Sequence, residues 1–245
     1  MKENKKAFTL AEVLKKFPRP FGERVRVRGY KAFTLAEVLI TLGIIGVVSA
    51  MTLPSVINNY KEREIVSKVK KFYSIMNQAF LMSVKDNGYA NEWEVVNGQN
   101  KTSTRQIAKY FKPYLKIIKD CGQTAGCLEY TDRPFTLNSG KTNVNYDASN
   151  LYYKAILNDG SYVWWRGVAG TYCKVSEGGH NDVCGAIFFD INGGKEPNTV
   201  GKDIFDIVIT PYAIKPNIDD NCKKNSTGWG CSGYILKNGN MDYLK

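Results

Sequence analysis

The sequence predicts an α+β protein in which a long N-terminal helix packs on the antiparallel sheet of a head domain with disulfide-closed loops. Three features of the chain support this prediction. An uncharged apolar run extends from Val38 to Leu53, and an apolar stripe with helical spacing follows it. The remainder contains short segments rich in β-branched and aromatic residues, which are typical of strands.

The first part of the helix is long enough to cross a membrane. As a helix, residues 33–53 span roughly 30 Å, the thickness of a bilayer core. Glu37 is the one charge in this stretch, and a carboxylate in lipid is costly unless it has a partner. Residues 1–32 contain ten basic and three acidic residues, which predicts a single-pass protein with a cytoplasmic N-terminus. A secretory signal peptide fits poorly, since residues 49–51 offer only a weak cleavage site after the run.

The helix is predicted to continue as an amphipathic segment. Asn87-Gly88 should end it, because a glycine after the last turn readily adopts the left-handed conformation of a helix stop. Before that stop, apolar residues recur every three or four positions and predict one buried face: Ile65, Val66, Val69, Phe72, Tyr73, Met76, Ala79, Phe80 and Val84.

The head is predicted to combine a second helix with a sheet. Residues 103–120 have a helical pattern that Pro113 interrupts. Residues 151–166 form a hairpin signal around Asn158-Asp159-Gly160. Residues 186–190 and 204–209 predict two further strands, and residues 234–236 a fourth element.

Neither catalysis nor a ligand-binding surface is strongly indicated. The one histidine, His180, lies in a glycine-rich turn, and the chain lacks the common nucleotide-binding, nucleophile-elbow and zinc-protease motifs. We therefore predict that the protein is not an enzyme. Trp164 and Trp165 are neighbours on a strand, so we expect one ring in the core and the other outside. An outward ring, or that of Trp229, could contact a glycan or DNA bases.

The cysteines indicate an oxidising destination. All six lie in the head, in three close pairs. Six cysteines allow 15 connectivities, and the simplest joins neighbours: Cys121–Cys127, Cys173–Cys184 and Cys222–Cys231. A zinc site is disfavoured, because no C-x-x-C motif is present.

The segment Ala32-Phe33-Thr34-Leu35-Ala36-Glu37 closely resembles the prepilin signal of type IV pilins and type II secretion pseudopilins. The resemblance implies that prepilin peptidase cuts between Ala32 and Phe33 and that the new N-terminus, Phe33, is methylated. Glu37 then becomes the fifth residue of the mature chain, the position where the family carries its assembly glutamate. Ala32 replaces the usual glycine, which puts the rate of cleavage in doubt more than its occurrence.

The resemblance extends into the helix and divides the chain. Gly43 and Gly46 lie where pilin helices often loosen, and Pro54 lies where many type IV pilins have a kinking proline. Proline removes a helical hydrogen bond, so we expect a bend or a melted turn before it. The expected parts are a removed basic leader (1–32), a membrane and assembly helix (33–85) and a pilin-like α+β head (86–245).

The leader contains a second copy of the signal. Residues 6–14 repeat, letter for letter, at residues 31–39. Two lysines and two prolines follow the first copy, so it lacks an apolar run that could enter a membrane. We predict that the second copy is the one that is processed.

One loop has the composition of a calcium site. Calcium prefers six to eight oxygen ligands, and five oxygen-bearing side chains lie close together: Asp190, Asn192, Glu196, Asn198 and Asp203. The segment is similar to a stretch common in pilin-like proteins, and the major pseudopilins hold a structural calcium in a comparably placed loop. The alternative is a loop whose Asp and Asn side chains cap its own turns. EF-hand spacing is absent, because Gly201 stands at the twelfth position.

The hypothesis that follows is a subunit of a type IV pilus-like filament. Its expected partners are prepilin peptidase, other subunits, the inner membrane and the assembly platform, with a later place in a periplasmic or surface filament. No cofactor is required beyond the calcium considered above. A type II secretion pseudopilin and a membrane-anchored binding module that never polymerises remain as alternatives. The net charge of +11 is no evidence for a nucleic-acid partner, since residues 1–32 contribute +7 of it.

Overall fold

The computed structural model describes residues 33–130, 132–218 and 222–245. It contains three helices in this part of the chain: α1 (Leu35–Asn87), α2 (Lys101–Phe111) and α3 (Cys231–Asn238). The strands are β1 (Ile117–Gly122), β2 (Tyr153–Leu157), β3 (Tyr162–Gly167), β4 (Val175–Glu177), β5 (His180–Val183), β6 (Gly185–Asp190), β7 (Ile204–Ile209) and β8 (Ile214–Pro216). Short 3-10 turns in the described residues lie at Ala90–Glu92, Lys112–Tyr114 and Asp242–Leu244.

The chain divides into two compact units, residues 1–51 and 52–245. In the first unit, the described residues are helical from Leu35 onward and their apolar side chains are exposed. In the second unit, six strands form an antiparallel sheet in the order β1-β2-β3-β6-β7-β8. Strands β4 and β5 form a separate hairpin. The α+β prediction is therefore confirmed.

The second half of α1 packs on the inner face of the sheet. Its stripe buries Val66, Val69, Phe72, Met76, Ala79 and Phe80, the residues expected from the spacing. Phe72 of α1 stacks on Phe189 of β6 with 3.8 Å between ring centroids. Burial of such side chains provides the main stabilisation of the head, at about 1.5–3 kcal/mol for each large apolar residue.

Helix α1 ends where the sequence predicted, and it continues past Pro54 as expected. It stops at Asn87, and Gly88 follows with φ of +79°, a conformation that suits glycine. Residues 50–54 are helical throughout, so no turn melts ahead of Pro54.

The region after α2 corrects the predicted second helix. The helix stops at Phe111 instead of reaching residue 120, and a 3-10 turn and strand β1 follow. Pro113 lacks the N–H that a continuing α-helix needs, and the β-branched Ile117 and Ile118 suit a strand. The prediction for residues 234–236 is refined as well, because they lie in helix α3.

Both adjacent tryptophans of β3 are fully buried, which corrects the expectation of an outward ring. Trp165 joins the inner core beneath α1, and Trp164 lies on the outer face of the sheet. The segment between β1 and β2 covers that outer face with Leu128, Tyr130 and Tyr146. The outer ring is thus enclosed by a second apolar cluster that the strand pattern alone does not reveal.

Candidate functional site: the N-terminal helix and the loop at residues 190–203

The start of α1 is closed by a reciprocal pair of hydrogen bonds. Thr34 precedes the helix, and its backbone N–H and hydroxyl donate to the Glu37 carboxylate at 2.9 and 2.8 Å. The Glu37 N–H donates in return to the Thr34 hydroxyl at 3.2 Å. This is the capping box of a Thr-x-x-Glu sequence, which satisfies backbone N–H groups at a helix N-terminus.

The signal helix has a continuous apolar surface. Phe33, Leu35 and the apolar residues that follow are mostly more than half exposed, and Glu37 is the only acidic residue in its first turn. Gly43 and Gly46 are exposed, and a methyl group at either position would meet nothing within 4 Å. An 18-residue window of α1 has a mean hydropathy of 2.0, so the helix is long and apolar enough to cross a membrane.

Comparison with known families explains this combination of an apolar helix and a lone carboxylate. The model of the prokaryotic N-terminal methylation motif matches residues 27–53. The chain carries the prepilin signal of type IV pilins and pseudopilins. The motif includes Ala32, which lies outside the described residues, and the apolar run as far as Leu53.

A second match concerns the segment after the signal. Residues 55–130 match a family of unknown function (DUF6613), from the second half of α1 to just beyond the Cys121–Cys127 pair. Searches of curated proteins and of solved structures find no match. The pilin-type assignment therefore depends on the signal and the α+β fold together.

The duplicated signal at residues 6–14 also lies outside the described residues, so the choice between the two copies stays a prediction.

The described part of the chain places three disulfides in the head, Cys121–Cys127, Cys173–Cys184 and Cys222–Cys231. These are the neighbouring pairs suggested by the cysteine spacing. His180 begins strand β5 with Nε2 2.9 Å from the carbonyl of Pro216.

The loop between β6 and β7 brings four of the five candidate calcium ligands together. The Asp203 carboxylate accepts hydrogen bonds from the N–H groups of Asn198 and Thr199 at 2.8 and 2.6 Å. Asp190 accepts one from the Tyr130 hydroxyl at 2.6 Å and one from the Asn192 N–H at 3.0 Å. The three bonds from backbone N–H groups cap the turns of the loop itself, as the alternative interpretation expects, whereas the Tyr130 bond comes from outside the loop.

Two observations bear on whether the loop suits a cation. The Oδ1 atoms of Asn192 and Asn198 are buried and have no protein donor, so both remain available as oxygen ligands. Glu196 is exposed, and the described residues contain no group of three or more His, Cys, Asp or Glu side chains placed to hold a metal. The calcium assignment therefore stays a prediction with at most two carboxylates.

Burial dominates the electrostatics of this loop. It raises the pKa of Asp203 to about 6. Burial and then the charge of Asp203 raise the pKa of Asp190 well above its ordinary value. On the neighbouring strand, burial likewise raises the pKa of Asp206 to about 6. A bound divalent cation would favour the charged forms of Asp190 and Asp203. Without a cation, ionising these buried carboxyl groups costs free energy and destabilises the folded loop.

Sequence reasoning missed two features of the surface. The Thr34-x-x-Glu37 capping box is visible in the signal itself, and the spacing of its two residues could have revealed it. A groove lined by basic residues of α2 is the other, and its signal is Lys101, Arg105 and Lys109 at intervals of four.

Proposed function

We propose that this chain is the precursor of a subunit of a type IV pilus-like filament. The methylation motif at residues 27–53 carries the proposal, because the resemblance to the prepilin signal implies that the apolar helix is retained after cleavage. Processing would occur between Ala32 and Phe33 on the cytoplasmic face of the inner membrane, followed by methylation of Phe33. Such a subunit has a structural role rather than an enzymatic one.

The physical basis of assembly would be the neutralisation of a buried charge. After cleavage, Phe33 provides a positively charged amine that can pair with Glu37 of a neighbouring subunit. A carboxylate surrounded by apolar helices is strongly destabilising when unpaired, so the pair would fix the stagger between subunits. The exposed Gly43 and Gly46 would let neighbouring helices approach closely in the filament.

Intact mass and N-terminal sequencing of the non-reduced protein from native membranes test the processing step. We expect a chain that begins at methylated Phe33 and lacks six hydrogens because of its three disulfides. A chain that begins at Met1 would contradict the proposal and favour a membrane anchor. A chain that begins at Phe8 would show that the first signal copy is the working one.

The closest competing function is a pseudopilin of a type II secretion system, which uses the same signal and helix. Microscopy of cells that express the protein separates the two, because a pilin forms surface fibres at native expression. Loss of secreted proteins after deletion of the gene, without loss of fibres, would instead identify a pseudopilin. A membrane-anchored binding module predicts neither fibres nor a secretion defect.

A further inference from the structure

The positive charge of the chain from Phe33 onward is concentrated in one segment. Residues 101–120 contain six basic residues and one acidic residue, so their net charge is +5. Residues 33–245 as a whole contain 24 basic and 20 acidic residues, a net charge of +4. The rest of that chain therefore carries a net charge of −1. The net positive charge of the chain from Phe33 onward therefore comes from residues 101–120, which include α2.

The fold arranges part of this charge in a row. Lys101, Arg105 and Lys109 are exposed on one side of α2, and each is separated from the next by about 6 Å along the helix. Together with Lys112 they line an open groove of about 800 Å³, which we call the basic groove. Its remaining polar lining comes from neutral side chains, including Gln106, Gln123 and Asn150, and no acidic residue of the described chain lines it.

The cations of the basic groove differ in how far they are neutralised. Lys112 pairs with Asp120 and donates to the Tyr153 hydroxyl. Arg105 donates to the neutral Gln123 amide oxygen at 3.2 Å. Lys101 and Lys109 form no ion pair with any described residue, whereas Lys68 and Lys71 of α1 each pair with a carboxylate. Three positive charges in the row thus face solvent without a carboxylate partner.

The groove is also held in shape. The Gln123 amide donates to the carbonyls of Lys101 and Asn150 at 2.8 and 3.1 Å, which ties the start of α2 to the segment before β2. Gln123 lies within the loop closed by the Cys121–Cys127 disulfide. The N-terminus of α2 is fixed by Asn100, whose side chain accepts from the N–H groups of Thr102 and Ser103.

We propose that the basic groove binds the phosphate backbone of double-stranded DNA without reading its sequence. Duplex DNA presents one negative charge per about 1.7 Å of axis, so each unpaired cation of a row spaced by about 6 Å has phosphates within reach along the duplex. Arg, Lys, Gln and Asn side chains are the usual contacts to phosphate oxygens. The groove has no exposed aromatic side chain among its described residues on which unpaired bases could stack, since Tyr153 is buried.

Fluorescence anisotropy of a labelled DNA duplex with the full chain in neutral detergent tests the proposal. Three phosphate contacts in the groove contribute about −2.7 to the slope of log affinity against log salt, which corresponds to a loss of about 40-fold between 50 and 200 mM. We expect the double variant K101Q/K109Q to bind more weakly and to lose about two of those slope units.

The matched control is K223Q/K224Q, which removes the same charge from exposed lysines elsewhere in the head. It should leave affinity and slope unchanged. A retained leader would add the same contribution to every variant, so the difference between the two double variants isolates the groove. Equal losses in both variants, or no binding by the parent chain at 50 mM salt, would refute the proposal. Tighter binding of labelled alginate with the same dependence on Lys101 and Lys109 would overturn it in favour of an acidic polysaccharide.

Discussion

At the scale of single residues, Glu37 combines two roles that the signal sequence brings together. Within the subunit its carboxylate accepts hydrogen bonds from Thr34 and closes the start of α1. In the proposed filament the same carboxylate pairs with the amine of a neighbouring Phe33. A capping role requires only an acceptor, whereas the assembly role requires a negative charge, so the two can be separated by substitution.

We expect Glu37→Gln to be processed normally and to lose most of its filaments. Glutamine can still complete a capping box, but it offers no charge to a neighbouring amine. Thr34→Val should instead remove the capping hydroxyl and keep the charge of Glu37. We expect it to weaken the start of the helix by about 1 kcal/mol. The measurements are intact mass for processing and the yield of sheared filaments for assembly. Normal filament yield from Glu37→Gln would exclude the proposed pairing.

At the scale of elements, the loop between β6 and β7 and strand β7 carry buried carboxyl groups with raised pKa values. Because burial raises the pKa of Asp203 and Asp206 to about 6, the folded state holds their protons more tightly than the unfolded chain, where an aspartate titrates near pH 4. The associated stability is complete below about pH 4 and is lost as the pH rises through about 6.

We therefore predict that, without calcium, the head is more stable to urea at pH 5 than at pH 7.5. Each carboxyl group should contribute about 1.4 kcal/mol to the difference. Asp206→Asn should reduce the difference, since an amide does not titrate and its oxygen still accepts from the Asn217 amide. Equal stability at the two pH values would show that folding does not raise the pKa of either carboxyl group.

The calcium hypothesis makes a separate prediction for the same loop. Calcium chloride should raise the melting temperature at pH 7.5, because binding to the folded state alone stabilises it. Asp203→Asn should abolish the rise, whereas Asp206→Asn, which changes a buried carboxyl outside the loop, should preserve it. No rise in the parent chain would leave the loop as one stabilised by its own hydrogen bonds to Asp190 and Asp203.

At the scale of the whole molecule, the disulfides supplement a core of moderate size. The three pairs close short segments, with sequence separations of 6, 11 and 9 between partners. Loops of this length contribute about 2–3 kcal/mol each when the unfolded chain is restrained by the bond. Their sum is comparable with the total stability of many domains, about 5–15 kcal/mol.

Reduction of the protein should accordingly lower its urea midpoint sharply. The variant C121S/C127S is expected to lose about 2 kcal/mol, and full reduction more than twice that. Intrinsic tryptophan fluorescence reports the change, since Trp164 and Trp165 are fully buried in the folded head. An unchanged midpoint after complete reduction, verified by thiol titration, would show that packing alone stabilises the fold.

Features that depend on the order of neighbouring residues could be predicted from the sequence. The stripe from Val66 to Phe80 and the stop at Gly88 follow from residue spacing and residue type. The processing signal is recognised by its resemblance to the prepilin signal. The neighbouring cysteine pairs also follow from spacing, and the structure forms the same pairs. These features can be predicted because the geometry of helices and strands relates each position to others only a few residues away.

Contacts between segments that are distant in the sequence could not be predicted and are seen only in the folded chain. Trp164 is buried because residues 128–146 fold over the outer face of the sheet, which a two-residue strand period does not encode. The row of cations on α2 becomes a groove because residues 122–124 and 150–153 form its other wall. Helix α2 ends at Phe111 and a strand follows it, because Ile117–Gly122 pairs with β2 at the edge of the sheet. Hydrogen bonding and burial between segments far apart in sequence outweigh local propensity at these positions.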